Sequence, residues 1–208
     1  MHIALLGDSI LDNQAYTKGE PDVATHLCRL LSNSAEVTLC AVDGSTTFDL
    51  NSQITRVPSG ASHIVVSIGG NDALLNSDLL RTPVTSTTEA LSLFGERIGQ
   101  FEIAYRAAIE SILSLKRQTA ICTIYNGNLS PPEADVVRVA LMMFNDVILR
   151  CGFERQLTII ELRLVCSETT DYANPIEPSG SGGLKIARAI AGWLGVGQPR
   201  ESSRVRTG

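Results

Sequence analysis

Aromatic residues are scarce, at 5% of 208 residues, and there is a single tryptophan, Trp193. No contiguous aromatic platform for a polysaccharide can be built from so few, and Trp193, in an apolar-periodic C-terminal run, reads as core packing. The five cysteines, Cys28, Cys40, Cys122, Cys151 and Cys166, include no CxxC pair. That spacing excludes a zinc-ribbon or thioredoxin-type site. An odd count beside an adequate core points to free thiols in a reducing compartment. Long apolar runs are missing as well: Ile3 to Leu6 stops at Gly7, too short for a signal h-region or a membrane span. A cytoplasmic protein with no membrane partner is the simplest expectation. Basic residues number 17 against 22 acidic, for a net charge of −5, and they are scattered. Their only cluster is Arg200, Arg204 and Arg206 in a Ser/Gly-containing tail, so no nucleic-acid partner is expected. No GxGxxG or GxxxxGK[ST] motif supports a nucleotide site. No metal cluster is apparent, and no cofactor is expected.

What is present suits one α/β domain. Hydrophobic residues make up 44% and charged residues 19%, enough for a packed core rather than disorder. Short β-rich runs alternate with longer helical patterns. Strands are predicted at Ile3 to Leu6, Glu36 to Val42, His63 to Ile68, Thr119 to Tyr125 and Leu157 to Leu162. Helices are predicted at Asp22 to Leu31, Phe48 to Val57, Thr88 to Lys116, Pro132 to Arg150 and Gly183 to Leu194. Five strands separated by helices imply a parallel sheet covered on both faces, in flavodoxin-like order 2-1-3-4-5. We expect one domain over 1–197 and a flexible tail over 198–208. In such sheets ligands bind outside the carboxyl ends of the strands.

The residues after the strands therefore carry the chemistry. Gly7-Asp8-Ser9 follows the first strand, Asp43-Gly44-Ser45 the second, and Gly69-Gly70-Asn71-Asp72 the third. Each alone is an ordinary turn or cap sequence. Together they supply a hydroxyl, a backbone N–H free to approach a ligand, and a side-chain amide. Those are the components of acyl transfer: a nucleophile and an oxyanion hole.

With these three blocks in the same order and spacing, the chain resembles the SGNH hydrolases, also called the GDSL family, from Ile3 to about Trp193. The resemblance implies a three-layer α/β/α fold and hydrolysis of carboxylic esters, the family including lipases, esterases, thioesterases and carbohydrate O-deacetylases. It implies Ser9 as nucleophile. It also implies an oxyanion hole made of the Ser9 N–H, the Gly44 N–H and the Asn71 amide.

The fourth block departs from the family, which has Asp, two residues, His and Pro. Here Asn174-Pro175-Ile176-Glu177-Pro178 aligns without gaps, placing Asn174 at the Asp position and Glu177 at the His position. A second alignment through Asp171 fits less well. His2 and His63 begin strands, far from the ligand edge, and His26 lies in the first helix, so none replaces the missing imidazole. Two readings stay open. In one, Glu177 is a substitute base whose pKa is raised by burial, with Asn174 orienting the carboxylate and Arg163 a candidate to hold it; slow turnover of small or activated esters is then expected. In the other, the fold has lost catalysis and binds a ligand or partner. Specificity is expected from the loops Asp12 to Glu20, Leu74 to Ser86 and Asn126 to Pro132. The oligomeric state is not legible.

Overall fold

The computed structural model describes residues 1–32 and 35–196; the tail expected over 198–208 lies outside them. Five strands form one all-parallel sheet: β1 (His2–Gly7), β2 (Glu36–Leu39), β3 (His63–Ser67), β4 (Gln118–Cys122) and β5 (Thr158–Ile160). Their spatial order is β2-β1-β3-β4-β5, as the alternation of short apolar runs and amphipathic helices predicted. Among the described residues seven helices accompany them: α1 (Val23–Leu31), α2 (Leu50–Ile54), α3 (Gly70–Leu75), α4 (Thr87–Leu113), α5 (Glu133–Glu154), α6 (Leu162–Val165) and α7 (Gly180–Trp193).

The period-two alternation of strand side chains builds two cores. Ile3, Leu5, Val65, Ala120 and Cys122 point to one face and pack with Leu27 of α1 and Ile186 and Ile190 of α7. Ala4, Leu6, Ile64, Val66 and Ile121 point to the other, against Leu50 of α2, Ile109 and Ile112 of α4, and Phe144 and Ile148 of α5. Because both faces are covered, the central strands are apolar without interruption. Trp193 belongs to the first layer and meets His63 edge-on at 5.4 Å.

The strands end earlier than their apolar runs suggest, for local reasons. The Cys40 and Ala41 N–H groups both donate to the Leu5 carbonyl, at 2.8 Å each, so β2 leaves its register before Val42. Past Thr123, whose N–H still donates to the Ile160 carbonyl at 3.1 Å, the chain leaves the sheet. Both backbone groups of Ile124 are taken by the Asn145 side chain at 2.8 Å. The Thr47–Asp49 segment is a 3-10 turn, which shortens the helix expected from Phe48 to Val57. Helix α3 and the 3-10 turn at Ser77–Arg81 fall where a loop was expected. Helix α7 starts at Gly180, three residues early, because Ser179 caps it by accepting from the Gly182 N–H at 3.2 Å.

Candidate active site

The carboxyl ends of β1 and β3 meet at Gly7 and Ser67, which are paired in register. A Cβ at Gly7 would lie 1.8 Å from the Ser67 carbonyl oxygen, and φ is +136° there. Only glycine fits this approach. The tight turn that follows is held by Asp8: its carbonyl accepts from Leu11 and Asp12 N–H at 3.1 Å, and its Oδ1 accepts from Ile10 N–H at 3.1 Å. Ser9 is thereby lifted to the sheet edge. Gln53, fully buried on α2, clamps the same turn. It accepts from the Gly7 N–H at 2.7 Å and donates to the Gly7 carbonyl at 2.8 Å and to Ser45 Oγ at 3.1 Å.

Ser9, Asn71 and Glu177 line a single cavity of about 640 Å³. The Asn71 amide donates to the Ser45 carbonyl at 2.9 Å, which orients the side chain and leaves its second N–H available. Gly44 lies in the neighbouring turn with φ +79° and open space around it; it is not among the cavity's lining residues. Asp72 braces the arrangement by accepting from the Thr47 hydroxyl at 2.7 Å and the Thr47 N–H at 3.1 Å.

Glu177 is buried although it sits in a loop. A network of main-chain and side-chain bonds fixes that loop. The Tyr125 hydroxyl donates to the Ile176 carbonyl at 2.6 Å, and the Asn128 N–H donates to the Pro175 carbonyl at 2.8 Å. Asn13, itself fully buried, donates to the Pro178 carbonyl at 3.3 Å and accepts from the Val23 N–H at 3.0 Å. The Ser9 hydroxyl faces the carboxylate closely enough to lower its pKa, while Oε2 has no hydrogen-bond partner of ordinary geometry. Burial outweighs that contact, and the nearby Asp43 adds to it, so the Glu177 pKa lies above the ordinary value of 4.5.

Asp8 is a second buried carboxyl at the site. Burial, opposed by the Ile10 N–H and reinforced by Glu177 and Asp72, pushes its pKa up to about 8. Burial and the neighbouring carboxylates therefore favour the neutral form of Asp8. The folded pKa exceeds the ordinary 3.8. Stability from this group is therefore complete below pH 3.8 and declines as pH rises towards 8, because the unfolded chain ionises first. Asp8→Asn keeps the acceptor for Ile10 and should abolish that decline. Melting temperatures of both proteins between pH 4 and 8 would check this: the gain in the variant should grow with pH.

Three expectations are corrected. Asn174 does not hydrogen-bond the Glu177 carboxylate; its exposed side chain accepts from the Ile176 and Glu177 N–H groups at 2.9 Å, so it shapes the backbone of the turn. Arg163 does not hold Glu177 but pairs with Glu161, Nε to Oε1 at 2.7 Å. The loop Asp12 to Glu20 contributes no lining residue to the cavity; the segments 74–81 and 126–132 do, along with faces of α4 and α5. Asp171, the alternative partner, is fully buried and paired with Lys185 at 2.7 Å. None of the three histidines lines the cavity. His2 is bonded to Thr38 at 2.8 Å, and His26 Nε2 lies 3.1 Å from the Gly180 carbonyl. Asn13, Gln53 and Tyr125 escaped the sequence reading, since a single polar residue in a loop or short helix has no periodic signature.

A serine, a buried carboxylate and an amide in one cavity are the parts needed for acyl transfer. If the Asn71 amide stabilises an oxyanion, Asn71→Ala should lower kcat by about 10²–10³ with little change in KM. Steady-state kinetics on p-nitrophenyl acetate, with a melting curve to verify folding, would measure it.

The family model described as GDSL-like Lipase/Acylhydrolase family matches residues 5–182. No curated protein matches the sequence significantly. Solved structures share the fold at low identity. A lipase from a goat rumen metagenome is 18% identical with TM-score 0.71, covering 96% of this chain and 100% of that one. An acetylxylan esterase from Geobacillus stearothermophilus is 17% identical with TM-score 0.68, covering 97% of both chains. An extracellular lipase from Streptomyces rimosus is 15% identical with TM-score 0.65, covering 91% and 98%.

Proposed function

Since the chain belongs to the GDSL-like lipase/acylhydrolase family, we propose that it hydrolyses carboxylic esters with Ser9 as nucleophile and Glu177 in place of the usual histidine base. The observation that carries this reading is the buried Glu177 carboxylate lining the same cavity as Ser9. The lipases and esterases among the structural neighbours agree with an ester substrate. Five free thiols accord with a cytoplasmic setting, and among the described residues no helix is long and apolar enough to cross a membrane.

In this mechanism Glu177 takes the Ser9 proton as Oγ attacks the ester carbonyl. The oxyanion is received by the Ser9 N–H, the Gly44 N–H and the Asn71 amide. The Ser9 and Gly44 N–H groups have no partner among the described residues, which leaves them free for this task. Glu177 then protonates the departing alkoxide, leaving an acyl-Ser9. A water molecule, deprotonated by Glu177, attacks that ester and releases the carboxylic acid, and the proton returns to Ser9.

A fluorophosphonate probe tests the proposal. We expect a single adduct, located on Ser9 by peptide mass spectrometry, and turnover of p-nitrophenyl acetate above the background. No adduct together with no turnover would favour the other reading, a hydrolase fold that binds a ligand without converting it.

A further inference from the structure

We propose that Gln53 is a positioning residue, holding the Ser9 turn at a fixed spacing from the Asn71 amide by way of Ser45; this rests on the hydrolase reading above. Gln53 is completely shielded from solvent and does not line the cavity. It therefore acts through its neighbours. It follows Leu50 by three residues on α2, on the face that packs into the core. Packing alone would be met there by a leucine or a methionine, whereas a buried amide is costly unless its groups are bonded.

The bonds join two segments that the sheet ties only loosely. β1 and β3 are paired as far as Gly7 and Ser67. β2 leaves its register with β1 at Cys40, so the turn carrying Gly44 and Ser45 stands beyond the ladder. One backbone bond continues across, from the Val42 N–H to the Gly7 carbonyl at 3.1 Å.

Gln53 supplies three more. Its Oε1 accepts from the Gly7 N–H at 2.7 Å, and its Nε2 donates to the Gly7 carbonyl at 2.8 Å and to Ser45 Oγ at 3.1 Å. The Gly7 carbonyl already has Val42 as a donor, so the second bond to it adds orientation. The Ser45 carbonyl in turn accepts from the Asn71 amide at 2.9 Å. One side chain thus links the residue two before the nucleophile to the turn that orients the proposed oxyanion donor. Acyl transfer needs such a link, since a misplacement of about 1 Å between reacting groups can cost about 10²-fold in rate.

A double-mutant cycle on kcat for p-nitrophenyl acetate tests the link. Gln53→Met keeps the length of the side chain and removes all three bonds. It should lower kcat by about 10²-fold, with KM within about threefold of native. In the Asn71→Ala background the same change should cost less than about tenfold, because the donor that Gln53 positions is gone. Equal cost in both backgrounds, or a native kcat in Gln53→Met, would overturn the proposal and leave Gln53 a support of the fold.

Gln53→Glu supplies a pH signature. A neutral carboxyl can accept from the Gly7 N–H and donate to the Gly7 carbonyl, whereas a carboxylate cannot donate. Burial raises the pKa of such a group, so its neutral form extends to higher pH than in an exposed glutamate. The kcat of this variant relative to native should fall at least about tenfold between pH 5 and pH 8, and a flat ratio would overturn the proposal. Should either variant unfold, Ser45→Ala cuts the Ser45 bond alone and should lower kcat at least about fivefold; a loss under about twofold would overturn the link. If the native protein turns over no ester and takes no fluorophosphonate, the hydrolase reading fails, and the NMR resonances of the Asn71 side-chain amide decide the link instead. Their displacement in a folded Gln53 variant, or in Ser45→Ala, would uphold it, and resonances at their native positions would overturn it.

Discussion

Ser9→Ala is expected to lose fluorophosphonate labelling entirely and to lower kcat for p-nitrophenyl acetate by at least about 10³-fold. The magnitude follows from the division of labour in covalent catalysis: without the hydroxyl no acyl-enzyme forms, and the remaining oxyanion donors can assist only direct attack by water. The fold should survive. Ser9 makes no hydrogen bond that shapes its turn, which is held by the Asp8 carbonyl and carboxyl groups and by Gln53. An unchanged melting temperature would separate loss of chemistry from loss of structure. Turnover within tenfold of the native protein would mean that Glu177 activates water directly and that Ser9 is not the nucleophile.

Glu177→Gln is expected to reduce kcat by about 10²–10⁴-fold, the range for removing a general base. Gln preserves the shape and can still face Ser9, but it cannot accept the proton. The pH dependence gives the sharper signature. The active form is the ionised carboxylate, so native activity should rise with pH through a midpoint above 4.5, because burial raises the Glu177 pKa. The Gln variant should lack that rise. A third protein, Asn174→Asp with Glu177→His, restores the residue types of the family's fourth block and should regain activity over Glu177→Gln. Rates of all three proteins between pH 4 and 9 would settle the comparison, and a rate unchanged in Glu177→Gln would remove Glu177 from the mechanism while sparing Ser9.

The sheet was legible in the sequence because its signal is strong: β3 is apolar throughout, and α1 and α4 repeat their apolar residues at helical spacing. Boundaries were harder to read. Where β2 and β4 stop depends on hydrogen bonds from partners remote in sequence, such as Leu5 with Cys40 and Asn145 with Ile124. Three residues that share the cavity, Ser9, Asn71 and Glu177, were legible through the order of short blocks, whereas Gly44 lies outside its lining. The site's supports were not legible. Asn13 and Tyr125 act on backbone carbonyls of the Glu177 loop from separations of 165 and 51 residues, and no local pattern encodes that. Asn174 was placed on the carboxylate by alignment, whereas the two N–H groups exposed by its own turn lie closer and capture its oxygen. Arg163 likewise found a carboxylate two residues away, at Glu161.

The role given to Asp8 follows from the same geometry. Burial, with Glu177 and Asp72 nearby, raises the Asp8 pKa and favours its neutral form. Its placement immediately before the nucleophile, with Oδ1 on the Ile10 N–H, also makes it a strut of the turn.

The central claim is that Glu177 activates Ser9. Its most direct measurement is the rate at which a fluorophosphonate modifies Ser9, followed across pH in the native protein and in Glu177→Gln. The account expects a native rate that climbs with pH through a midpoint above that of an ordinary glutamate, and a variant at least about 10²-fold slower with no such climb. Equal rates with the same pH profile in both proteins would contradict it.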